Sequence, residues 1–462
     1  LATTTDPAEA ARPGTRRPVW PRRRDAHRVA MLFGPAFVAA VAYVDPGNVA
    51  ANVTAGSRYG YLLLWVLILA NAMAVLIQYL SAKLGLVTGS SLSETLGARL
   101  RPAARRGFWL QAEVAAAATD VAEVIGGAIA LHLLFGLPLA AGGAITGVVS
   151  MALLAVGDRR GQRRFELLVV GLLLIITIGF TCGLLFVDVS PSALVGGIVP
   201  RFEGVQTLLL AAGMLGATVM PHAIYVHSAL ARDRHRADLV HLEARGAADG
   251  PAEGCGADAP DAEPTAPVRK DAGRGHAVLD RLLRATRWDV AVALVVAGGV
   301  NIALLVLAAA ALHGVSGTDT IAGAHHAIEA ALGPAVGTVF AVGLLASGLA
   351  STSVGAAAGA EIMSGLLRVR VPLLARRLVT LVPAVALLAA GADPTYALIL
   401  SQVVLSFCIP FALIPLVRYT AQVSMMGVYR SGPVVRVASW ATVAVIVALN
   451  AALLALTMLG VD

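Results

Sequence analysis

Runs of about twenty apolar residues recur along this 462-residue chain, and no other feature restricts its fold as much. Residues 61–80, 167–187, 290–312 and 437–459 are each long enough to cross a hydrocarbon core of about 30 Å as a helix. Inside lipid a backbone must satisfy its own hydrogen bonds, and a helix does so within one segment. Composition agrees: 58% of residues are hydrophobic, 14% are charged and the mean hydropathy is +0.78, far from the balance of a soluble domain. The chain therefore reads as an all-α polytopic membrane protein.

Spanning helices are expected over 29–56, 61–82, 108–135, 138–156, 165–187, 205–231, 288–312, 333–366, 371–391, 395–417 and 433–460, eleven in all. The intervening loops then alternate in charge. The N-terminal arm (Arg12, Arg16, Arg17, Arg22, Arg23, Arg24, Arg28) and segments 83–106, 159–164, 232–287, 368–377 and 418–436 hold nearly all the Lys and Arg, whereas Arg58 and Arg201 fall opposite. The positive-inside rule places the N-terminus in the cytoplasm and the C-terminus outside, in the plasma membrane. The net charge of +7 is thus topological, and nucleic-acid binding is not needed to explain it. Residues 1–27 read as a basic cytoplasmic tail, because no small-residue cleavage site follows them before the polar break. Residues 232–287, rich in Ala, Gly, Pro and charge without apolar periodicity, read as a disordered cytoplasmic linker whose flanks continue the neighbouring helices. Cys182, Cys255 and Cys408 form no paired motif.

Two apolar segments are interrupted. "VAYVDPGNVAANVTAG" (41–56) carries Asp45, Pro46, Gly47 and Asn48; "GMLGATVMPHAIYVHSAL" (213–230) carries Met220, Pro221 and His222. Proline lacks an amide donor and collides with the preceding turn, so both helices are expected to open and free carbonyls, with Ala42 and Ala217 as the candidates. Pro46, Gly47 and Pro221 are then hinges. Broken first and sixth helices at corresponding places predict two five-helix repeats, 28–187 and 205–417, followed by an eleventh helix at 433–460, with a site near the bilayer midplane. Asp45 offers a hard anionic oxygen, Asn48 a neutral oxygen and Met220 a thioether. That mixture suits a first-row divalent ion better than calcium or magnesium, although Met220 alone is equally an apolar filler.

The third expected helix carries Glu113, Asp120 and Glu123, spaced by seven and three and so on one face. Buried carboxylates cost about 2.5–3.5 kcal/mol each on an insertion scale and mark ion or proton pathways, or else pair with cations. Arg376 and Arg377 are candidate partners, or snorkelling anchors. His222 adjoins the second break and is assigned to a proton pathway, and His227 to gating. His325, His326 and Glu329 cluster in an amphipathic stretch and are expected to be a solvated surface group. Gln402 is one polar residue in an apolar helix, free to bond a neighbouring backbone.

"DPGN" at 45–48 with "GATVMPHAIYVHSAL" at 216–230 resembles the NRAMP family of proton-coupled divalent metal transporters, and "TDVAEVIGGAIAL" (119–131), "LASGLASTSVGAAAG" and "SQVVLSFCIPFALIPL" (401–416) extend the likeness. The resemblance implies a LeuT-like fold and a monomeric secondary transporter rather than an enzyme. It implies Mn2+ or Fe2+ as substrate, H+ as coupling ion and no prosthetic group. It further implies Asp45, Asn48 and Met220 as metal ligands, the carbonyls of Ala42 and Ala217 in alternate states, and Gln402 on closure. Asp120 becomes the proton acceptor and Arg376 and Arg377 its relay. An amino-acid or other organic-solute carrier of the same fold is the alternative. The eighth helix is richer in Ala than that family pattern, and the linker is longer.

Overall fold

The computed structural model describes residues 35–160, 162–235, 268–369 and 373–459, which are almost entirely helical. The expected tail 1–27, residues 236–267 of the linker with Cys255, and the side chain of Arg376 lie outside the described residues.

The first span is two helices, α1 (Pro35–Ala42) and α2 (Pro46–Tyr59), followed by α3 (Leu64–Thr88), α4 (Leu92–Arg99), α5 (Pro102–Phe135), α6 (Leu139–Arg160), α7 (Gln162–Thr181) and α8 (Pro191–Gly197). The second interrupted span is α9 (Gly204–Thr218) and α10 (Pro221–Arg234). Then come α11 (Val268–Ala311), α12 (Ile321–Leu332), α13 (Pro334–Ile362), α14 (Leu373–Ala389), α15 (Pro394–Ala421), α16 (Val423–Met426) and α17 (Pro433–Leu459). Each expected span contains helix where it is described. Among the described residues seven helices are long and apolar enough to cross a membrane, and shorter apolar helices occupy Leu139–Leu153, Val170–Phe186 and Arg377–Ala389.

Two segments are more ordered than their composition suggests. Helix α11 is described from Val268, so residues 268–278 of the expected linker are helical, together with the flank 279–287 expected to continue the seventh helix. Their apolar positions recur at helical spacing, and Leu279 and Leu283 pack on Ala82 and Leu86 of α3. In the loop after α3, Ser91 and Glu94 form a reciprocal capping box that starts α4.

Helix α5 lies at the centre, packed against α6, α13, α14 and α15, while α2 and α3 pack on α11 and α9 on α15. Small residues let these helices approach, as dispersion forces require where lipid supplies no hydrophobic drive. A Cβ on Gly126 of α5 would stand 2.1 Å from Pro46 Cβ, so the first break rests directly on α5. In α1, described from Pro35, the Ala36 amide donates to Asp289 of α11 at 3.1 Å, tying the two helices together.

Candidate ion site at two helix breaks

Prolines create both openings and select the carbonyls they free. Pro46 cannot donate to Ala42, four residues before it, and Pro221 cannot donate to Ala217. Helix α1 stops at Ala42, and Asp45 caps α2 by accepting the Asn48 amide at 2.8 Å. Helix α9 stops at Thr218, and extended Met220 precedes Pro221 at the first position of α10. The other carbonyls of the first opening are already occupied. Tyr43 O accepts from Asn301 Nδ2 at 2.7 Å and Val44 O from Ser347 Oγ at 2.5 Å. Asn52 donates to Asn301 Oδ1 at 3.0 Å, so α11 braces both sides of the break.

The two breaks meet through side chains. Asn48 Nδ2 donates to Asp45 Oδ1 at 2.8 Å and to Ala217 O at 3.0 Å, and Gln402 Nε2 of α15 donates to Asp45 Oδ2 at 3.1 Å. Asp45, Asn48, Ala217, Met220 and Gln402 are wholly buried, and Ala42 nearly so. Gln402 is held close by absent side chains: a Cβ on Gly47 would fall 1.6 Å from its Nε2, and one on Gly216 would fall 2.0 Å from its carbonyl oxygen. Asn48, expected to present an oxygen, here presents its NH2 to Asp45. Its Oδ1 and the Oε1 of Gln402 are buried without a hydrogen-bond partner.

This balance of charge is unusual. Asp45 is a buried carboxylate tied to amides alone, and among the described residues it joins no ion pair. An uncompensated buried charge costs several kcal/mol, and each orphaned polar atom about 1–3 kcal/mol. A cation bound among Asp45, the two orphaned oxygens, the freed carbonyls and the Met220 thioether offsets both penalties at once.

The second cluster of carboxylates is compensated differently. On α5, Asp120 and Glu123 sit 2.9 and 3.3 Å from one nitrogen of Arg377, whose guanidinium also donates to Ser150 and Thr352 at 3.2 Å each. Thr380 donates to Asp120 Oδ2 at 2.7 Å. All three charged side chains are buried, so Arg377 does not snorkel. With both carboxylates ionised the group carries one net negative charge, and Glu123 Oε1 has no hydrogen-bond partner. One proton neutralises the set. Glu113 is half-buried about 10 Å away along α5, by helical rise from Asp120.

The histidines occupy the space around the breaks. His222 Nδ1 lies 3.4 Å from Thr119 Oγ1, beside Asp120, so the residue bridges the second break and α5. His227 Nδ1 lies 2.7 Å from Gln78 Oε1, and Gln78 Nε2 donates to Tyr43 Oη at 2.5 Å, linking α10 through α3 to the first break. Gln78, Asn301 and Ser347 escaped the sequence reading. For Gln78 and Asn301 the signal was a lone polar residue within an apolar run.

A cavity of about 210 Å³ opens beyond the breaks, lined by Thr54 and Arg58 of α2, Leu210 of α9, Thr395 and Ile399 of α15, and Asp319. Two of the helices that line it, α2 and α15, also carry Asn48 and Gln402. Arg58 pairs with Asp319 at 2.6 Å at the mouth and holds that carboxyl below its ordinary range. Polar ties cross the other end of α10: Ser228 Oγ accepts from the Leu92 amide at 2.9 Å, Ser81 Oγ donates to Ile224 O at 2.6 Å, and Arg232 pairs with Glu94.

Fold and site together define a polytopic membrane transport protein of the LeuT-like, broken-helix kind. Residues 36–456 match the family described as natural resistance-associated macrophage protein-like. The chain belongs to this Nramp family. It is 54% identical over 429 residues to the "divalent metal cation transporter MntH" of Mycobacterium tuberculosis (strain CDC 1551 / Oshkosh), covering 93% of this chain and 92% of that relative. It is 40% identical over 422 residues to the protein of the same name from Bacillus subtilis (strain 168), covering 91% and 90%. The crystal structure of a manganese transporter from Eremococcus coleocola superposes with a TM-score of 0.76 at 30% identity, covering 94% of this chain and 87% of that one.

Proposed function

We propose that this chain imports divalent first-row metal ions, manganese foremost and iron as well, together with protons by alternating access. The observation that carries the reading is Asp45, a wholly buried carboxylate that two neutral side-chain amides approach and that no cation among the described residues neutralises. Family membership and the similarity to proteins named as divalent metal and manganese transporters support it.

The ion descends from the cavity below Arg58 and Asp319, shedding water for Asp45 and the freed carbonyls of Ala42 and Ala217. Asn48 and Gln402 rotate their amides, and the oxygens now orphaned become ligands. The thioether of Met220 weights the set toward transition metals and away from calcium and magnesium. Breaking the ties between α10 and the α3–α4 segment then opens the opposite face. The repeats 28–187 and 205–417 rock about the site, with the N-terminus cytoplasmic and the C-terminus outside.

Protons use the other buried acids. A metal at Asp45 disfavours protonation there, and the proton moves to the Asp120 and Glu123 pair, whose net charge with Arg377 is relieved by one proton. His222, two residues after Met220 and 3.4 Å from Thr119, carries the proton onward in this reading, and Arg377, next in sequence to Arg376, leads it toward the cytoplasmic end of α14. An organic acid substrate would meet Asp45 as a like charge.

The test is manganese uptake into proteoliposomes under an inward proton gradient, with internal pH followed at the same time. Uptake accompanied by acidification is expected, and Asp120→Asn should suppress acidification more than metal binding. Transport of an organic solute with no metal uptake would overturn the assignment.

A further inference from the structure

The site at the breaks leaves one cluster of metal-ligating side chains unused. His325 and Glu329, four residues apart on α12, face one another with His326 beside them. This group was expected to be solvated. Instead His325 shares the inward face of α12 with Ile321, Ala324 and Ile328 and is only 5% exposed, its ring against Phe340 of α13. The helical spacing that buries it also brings Glu329 onto the same side one turn later.

Its ring is already oriented. The Nε2 edge lies against Gly337 at the start of α13, where a Cβ would approach it to 3.4 Å. That leaves Nδ1, buried and without a hydrogen-bond partner, aimed toward the Glu329 carboxylate 3.9 Å away. His326 Nδ1 stands 4.0 Å from the same oxygen, and the three ligand atoms all lie within 4.8 Å of one another. Four-coordinate ligands at 2.0–2.1 Å from an ion stand roughly 3.3 Å apart. His326 is 72% exposed and Glu329 42%, so both are free to close by about an ångström around fixed His325.

We propose that His325, His326 and Glu329 form a second, peripheral site for a first-row divalent cation of zinc-like preference. Two imidazoles and one carboxylate suit zinc, cobalt or nickel, and exclude the all-oxygen shells of calcium and magnesium. The fourth position is left to water. The residues just before α12, Asp319 and Thr320, line the mouth of the cavity above the breaks, so an ion held here stiffens the helix that edges that mouth.

The test is zinc titration calorimetry on the full chain in detergent, free of any affinity tag, in the Asp45→Ala background that removes the first site. One zinc site is expected to remain. Adding His326→Ala or Glu329→Gln, both at exposed positions that leave the packing of His325 intact, should weaken it at least tenfold. In the otherwise unaltered chain the same two substitutions should leave manganese uptake within twofold of normal and remove one of two binding events. Asp45→Ala protein that binds no zinc, or zinc affinity unchanged by both added substitutions, overturns the proposal.

Discussion

Two groups of buried acids lie on neighbouring helices and are kept in opposite ways. Asp120 and Glu123 share an arginine that the Ser150 and Thr352 hydroxyls and both carboxylates hold, with Thr380 donating to Asp120, so their compensation is permanent and built from the chain. Among the described residues Asp45 meets only amides, and the side-chain amides of Asn48 and Gln402 are each turned so that their own oxygen is stranded. A protein that needed nothing but stability at Asp45 would place an arginine there too, or no acid. The contrast separates an acid that the chain leaves uncompensated from acids it compensates permanently, and the proposed function gives metal to the first and protons to the second.

Substitutions can attack that contrast in graded steps. Asp45→Ala removes the visiting ion's anion and should abolish manganese uptake in proteoliposomes, a loss of at least a hundredfold, while leaving the fold intact. Arg377→Ala strands two buried carboxylates; breaking one partner of a buried pair costs about 3–5 kcal/mol, read as a fall in unfolding temperature. Asp120→Asn and Glu123→Gln together should restore much of that stability without restoring proton movement. Uncharged replacement of all three groups that stayed unstable would show that the arginine does more than neutralise.

Gly47→Ala sharpens the first half of the comparison. The atoms nearest the new methyl are Nε2, Cδ and Cγ of the Gln402 side chain, which can swing away, so the substitution is expected to displace Gln402 from Asp45 rather than unfold the break. Uptake should fall about tenfold, Gln402→Ala should do the same, and the double variant should be no worse than either alone, as expected for changes acting through one contact. Met220→Ala should act more mildly, lowering the preference for manganese over calcium several-fold in competition uptake while leaving total transport measurable.

The smallest effect belongs to the mouth of the cavity. Arg58 and Asp319 are half-exposed, and such pairs are worth about 0.2–1 kcal/mol. Arg58 depresses the Asp319 carboxyl in the folded state, so the pair's contribution is fully present above the unfolded carboxylate range near 4 and is lost as pH falls through the lower, folded value. Arg58→Ala should therefore change uptake less than twofold at neutral pH, with any difference in stability vanishing in strong acid.

Much of this arrangement was legible because membranes punish ambiguity. Apolar length set the helices, proline set the two breaks, and an acid in lipid stood out at Asp45, Asp120 and Glu123. What escaped is what depends on neighbours far along the chain. Gln402 entered by resemblance, since one glutamine in an apolar helix carries no instruction to seek an aspartate 357 positions away. Asn301, Ser347 and Gln78 were equally silent. Asn48 was identified as part of the site but not in its orientation, because an amide offers either a donor or an acceptor and Ala217 decides which is used. The helical flank at 279–287 was legible, but its extension back to Val268 and the packing of Leu279 and Leu283 on α3 were not, because the charge around them hides the stripe.

The most direct test of the contrast is anomalous X-ray scattering at the manganese edge from crystals grown with Mn2+. The account predicts one strong peak within bonding distance of Asp45 and the Met220 sulfur, and none beside Asp120, Glu123 and Arg377. A peak between Asp120 and Glu123 with none at Asp45 would contradict it, and would reverse the roles of the two groups of acids.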